Sequence, residues 1–93
     1  MLPYTIDDPI EEPLTHSVEV TIDFGGGDKR WCFFATPQLL ATVGDWVGGT
    51  QVRMHLGVSH MIVVSELNED VIERVLRQLY AEGQLEAHTT PLI

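Results

Sequence analysis

The residues able to do chemistry near neutral pH are His55, His60 and Cys32, and the sequence sets them in strand-like surroundings. Gln51–Leu56 and Ser59–Glu66 read as a hairpin turning at Gly57-Val58, with glycine supplying the backbone geometry of a type II′ turn. That register opposes His55 to His60, with Cβ atoms about 5 Å apart. Two imidazoles so placed could share a divalent metal or titrate together near neutral pH. A third ligand would have to come from Glu19, Asp23, Cys32 or the N-terminal arm, and no spacing supplies it, so no metal and no cofactor is expected.

Cys32 could act as a nucleophile if His55 or His60 shared its face of the sheet. Its neighbours Trp31 and Phe33 instead suit a small apolar residue, with no cation or helix N-terminus to lower its pKa. Ser59 and His60 are adjacent on a strand and point to opposite faces, which disfavours a dyad. Gly25-Gly26-Gly27 joins two strands and lacks the frame of a phosphate loop. No HExxH, CxxC or GxSxG occurs, so a small enzyme or metal-binding module centred on His55, His60 and Cys32 is the alternative reading.

Composition narrows the partners. Fourteen acidic and five basic side chains give the 93-residue chain a net charge of −9. Too few cations are present to neutralise a run of phosphates, so no nucleic acid is expected as partner, and no membrane surface. An acidic inhibitor mimicking nucleic acid is a further alternative. It needs carboxylates aligned along one surface, and here they divide between the N-terminus, the first hairpin and the last helix. One cysteine and no signal-like leader fit a reducing, cytoplasmic setting.

Residues 1–15 form an extended acidic arm: Pro3, Pro9 and Pro13 break regular structure, Asp7, Asp8, Glu11 and Glu12 carry charge, and Tyr4, Ile6 and Ile10 are interspersed. Residues 16–93 form a single α+β domain. Val18, Val20, Ile22 and Phe24 alternate with polar residues as a half-buried strand, which the three glycines turn into a second strand, Lys29–Ala35. A loop of two or four residues pairs Ile22 with Trp31 and Val20 with Phe33. Thr36-Pro37 starts a helix of two to three turns carrying Leu39, Leu40 and Val43. The last helix has Asn68 as N-cap, acids in its first turn, an apolar stripe from Val71 to Tyr80, and Gly83 as its stop. His88–Ile93 reads as a tail.

The order ββαββα predicts a two-layer sandwich, a four-stranded antiparallel sheet with two helices on one face. The helix-free face would then hold Cys32, Phe34, Ile62 and Val64 among Arg53 and the histidines, too apolar for free solvent. The expectation is a protein-binding or assembly module, homodimeric through Phe34, Ile62, Val64, Arg53 and Cys32, with Tyr4, Ile6 and Ile10 of the arm bordering the partner. A basic protein surface is the other partner that the charge favours.

Overall fold

The computed structural model describes residues 1–10, 17–55 and 57–92. Glu11, Glu12, Pro13 and Leu14 of the expected arm, Leu56 of the expected second hairpin and Ile93 of the tail lie outside the described residues. The fold is α+β, with a mostly antiparallel sheet and two helices. The elements are β1 (Tyr4–Ile6), β2 (Val18–Asp23), β3 (Lys29–Ala35), α1 (Pro37–Leu40), β4 (Asp45–Trp46), β5 (Arg53–Met54), β6 (Met61–Val63), α2 (Glu69–Ala81), a 3-10 turn (Glu86–His88) and β7 (Thr90–Pro91). The main sheet runs β1-β2-β3-β6, and β7 also pairs with β3. No helix among the described residues is long and apolar enough to cross a membrane.

β3 is the organising strand. One edge takes β2; the other is divided between β7, antiparallel beside Arg30 and Trp31, and β6, parallel beside Phe33–Ala35. The layout therefore differs from four strands in two hairpins. Part of the arm supplies an edge strand, β1, and part of the tail supplies β7.

The first hairpin forms with its register shifted by one residue from that expected. Phe24 N donates to Asp28 O at 2.8 Å, so the loop is Gly25-Gly26-Gly27, three residues, all at positive φ. An odd loop reverses the parity: Val20 opposes Cys32, Val18 opposes Phe34, and Trp31 opposes Thr21. Cys32 and Phe34 thus join Val18, Val20 and Ile22 on the covered face, all wholly buried. Trp31 and Phe33 turn to the other face.

The second hairpin does not form as expected. β5 pairs antiparallel with β4, and β6 pairs parallel with β3, so His55 and His60 are not opposed. Pairing with β3 sets Ile62 beside Phe34 and lets Ile62 and Val64 pack on the core, a face that an isolated two-stranded ribbon could not bury. Val52, Met54 and Val63 stay exposed. α1 is one turn long, Thr36 Oγ1 accepting from Leu39 N at 3.1 Å, and the chain leaves the helix before Gly44 at φ +101.

α2 alone covers the core face. Asn68 Oδ1 accepts from Val71 N at 2.9 Å, and Glu69 and Asp70 follow in the first turn. At the other end Gly83, φ +69, donates to Tyr80 O while Gln84 N donates to Leu79 O, a Schellman closure. Ile72 and Leu76 are buried with Leu67 and Leu85 against the sheet; Tyr80, expected in the stripe, is exposed. Arg30 fastens the C-terminal segment, its Nε donating to Thr89 Oγ1 at 2.8 Å and Nη2 to Thr89 O at 2.9 Å.

Candidate functional site: the open sheet face and the protruding hairpin

The period of two that buries Cys32 and Phe34 necessarily presents Trp31 and Phe33 on the opposite face, where no long helix lies. His60, just before β6, packs edge-on against both rings, 4.7 Å from Trp31 and 5.5 Å from Phe33 between centroids. The two indole and phenyl rings are 6.2 Å apart. Met61 sits beside Phe33 in the parallel register. These side chains are half-buried and form the floor of a shallow aromatic surface.

One bank of this floor is acidic. Glu19 opposes Phe33 on β2, and Asp7 accepts from the Thr21 hydroxyl at 2.6 Å, placing its carboxylate beside the same face. Asp8 takes the Glu19 backbone N–H at 3.0 Å. The two ion pairs among the described residues, Arg74 with Asp70 and Arg77 with Glu73, both lie on α2. None of the three bank carboxylates joins them.

The other bank is apolar. Leu39, Leu40 and Val43 from α1 and its exit, with Met54 and Val58, enclose against Phe33 and Met61 a groove of about 350 Å³. Beyond it β4 and β5 protrude. Their small sheet is held by Val47 N to Val52 O at 2.8 Å and by the Arg53 guanidinium stacked 3.6 Å over the Trp46 ring. Arg53 Nη1 also donates to Gly44 O at 2.9 Å. His55 ties this hairpin to α1: its Nε2 donates to the Leu40 carbonyl at 2.6 Å, and its ring fills the space above Gly44.

The residues singled out from the sequence fall elsewhere than expected. Cys32, Phe34, Ile62, Val64, Tyr4, Ile6 and Ile10 all pack in or against the chain's own core. Tyr4 also reaches α2, its hydroxyl donating to Glu73 Oε1 at 3.4 Å, and burial followed by the Glu73 charge raises its pKa. Of the eight, Arg53 alone stays outside, on Trp46. His55, His60 and Cys32 do not converge, because Cys32 lies under α2 while His60 stacks on the far face of β3. Burial pushes the Cys32 thiol up to about 12, which keeps it protonated and unreactive at neutral pH. Among the described residues no three metal-ligating side chains cluster.

Trp31, Phe33 and Met61 are the surface residues that sequence reasoning missed; His60, expected on the helix-free face opposite His55, stacks there on Trp31 and Phe33 instead. The signal for Trp31 and Phe33 was the three-glycine loop, whose odd length sets the parity of β3 against β2. No protein-family model, curated protein or solved structure matches the chain.

Proposed function

We propose that this chain is a small protein-binding and assembly module that pairs with a second copy of itself through the protruding β4–β5 hairpin, in a reducing, cytoplasmic setting. The observation that carries the reading is the coincidence of exposure and neutrality in one stretch. Val43, Trp46, Val47, Val52, Met54 and Val58 are each more than a third exposed. Residues 37–65 carry one acid, Asp45, and one base, Arg53, so the whole net charge of −9 resides elsewhere. Exposed apolar side chains gathered in one region mark an association surface. This is also the region where two copies of an acidic chain meet without opposing carboxylates.

The shape supports it. A compact domain of this length has a radius of gyration of about 12 Å. Here it is 14.1 Å, with a long axis of 48 Å against 24 Å for the other two. The excess length leaves apolar surface that the chain does not bury on its own.

Sedimentation equilibrium from 5 to 200 μM is the test. Wild type is expected to dimerise in that range, and Val52→Asp, at a position 59% exposed, to be a folded monomer by far-ultraviolet circular dichroism. A wild-type chain that stays monomeric throughout overturns the reading.

A further inference from the structure

We propose that the open sheet face is a second docking surface, distinct from the hairpin, and that its occupant is a basic amphipathic helix of a partner protein. The proposal rests on the protein-binding reading above but uses other residues. Sheets with one apolar face are ordinarily covered by a helix or another sheet, and α2 does this for one side of β2–β3. On the other side Trp31, Phe33 and Met61 leave a half-buried apolar floor with no long helix over it among the described residues.

Charge says which kind of helix fits. Glu19, Asp7 and Asp8 form the β1–β2 bank, and none of them is ion-paired among the described residues. The cations cannot serve from within: Arg74 and Arg77 are engaged on α2, Arg30 is held by Thr89, and Arg53 is stacked on Trp46. Lys29 lies opposite Asp23 at the far end of the hairpin. A helix whose apolar stripe lies on Trp31 and Phe33 would set lysines or arginines on the adjacent stripe over Glu19 and Asp7. The opposite bank, Leu39 and Leu40 of α1, takes its apolar side. A second copy is the poorer occupant of this face, since it would bring the two acidic banks together.

The probe is a fluorescein-labelled 14-residue peptide of leucine and lysine at helical spacing, followed by anisotropy against the full chain. The comparison peptides carry glutamate in place of lysine, or serine in place of leucine. In a Trp46→Phe background Trp31 is the one remaining indole of the two, so its emission reports coverage of the floor. The expected result is binding of the leucine–lysine peptide with a blue shift of Trp31, and at least about tenfold weaker binding of either comparison peptide. Glu19→Gln with Asp7→Asn should weaken it about fivefold or more, while Glu66→Gln with Glu82→Gln, both exposed and flanking the two ends of α2, should leave it unchanged. Equal loss with both pairs of substitutions, or binding without a Trp31 shift, shows only general attraction to an acidic chain and overturns the proposal. No binding of the leucine–lysine peptide overturns it too. Sedimentation reads the hairpin dimer independently, so either proposal can fail while the other stands.

Discussion

Val18 and Val20 on β2 are wholly buried, whereas Val43, Val47 and Val52 around the β4–β5 hairpin are 42, 37 and 59% exposed. The residue type is the same in both regions, so hydrophobicity does not account for the difference. β2 has six residues, a long partner on one side and α2 across its apolar face. β4 and β5 have two residues each, too short to present a row of side chains to anything. Burial follows from an opposing surface, and among the described residues none covers the hairpin. Fully burying one valine is worth about 1.5–3 kcal/mol, which is the stabilisation that the proposed dimer would draw on.

The contrast is broken most directly by paired truncations. Phe34→Ala in the body should lower unfolding free energy by about 3–5 kcal/mol, read from the urea midpoint, because it opens a cavity among Val18, Ile62 and α2. Val52→Ala should change the monomer's midpoint by less than about 0.5 kcal/mol and act on dimerisation instead. Comparable losses from the two would mean that the hairpin is as much a part of the cooperative core as β3.

Cys32 sharpens the same contrast through pH. Its folded thiol titrates at about 12, against an ordinary value of 9.0. As pH rises the unfolded chain therefore releases the proton first, so stability is complete below about pH 8.5 and is lost as pH climbs towards 12. The slope is up to about 1.4 kcal/mol per pH unit, or about 2 kcal/mol between pH 9 and 10.5. Urea titrations at pH 8 and 10.5 should show this loss in wild type and a flatter response in Cys32→Ala. A smaller effect is expected at the helix N-terminus. Asn68→Ala removes the side-chain acceptor for Val71 N and should cost about 1 kcal/mol by the same measurement.

That last element is also where sequence and structure agree most closely. Asn68, the two acids after it, the 3.6-residue period and Gly83 all act within a few residues of one another, and local rules suffice to read them. The sheet was legible only to the level of its alternation. Whether Val20 meets Phe33 or Cys32 depends on one residue of loop length, and that single residue moved Cys32 and Phe34 from the open face into the core. β6 was misassigned for a different reason. Met61–Val63 and the residues before Gly57 make an acceptable local hairpin, but β3 offers a longer, already half-covered partner, and parallel pairing across some twenty-five residues leaves no local signature. The proposed docking surface inherited both errors, because its floor residues Trp31, Phe33 and Met61 are defined by parity and pairing and not by their own chemistry.

Gly44→Ala should have the smallest effect on global stability and is the most selective probe of how far the two regions are separate. Gly44 adopts φ +101, and a Cβ there would stand 2.7 Å from His55 Cε1 and 2.8 Å from the Met54 carbonyl oxygen. Neither contact can be kept, so the alanine must push His55 off Leu40 or pull β4 away from β5, on top of the intrinsic penalty of about 1–2 kcal/mol for a side chain in that backbone region. Both adjustments fall within the hairpin. Hydrogen exchange should therefore show the Val47 amide, protected by Val52 O, losing protection in the variant, while amides of β2 and α2 keep theirs. The urea midpoint should move by less than about 0.5 kcal/mol, and the dimer should weaken because Trp46 and Val52 no longer share a fixed surface. A shift of the global midpoint by the full strain would show that the hairpin unfolds with the body. The exposed valines would then belong to one cooperative unit whose stability depends on the surface they fail to bury.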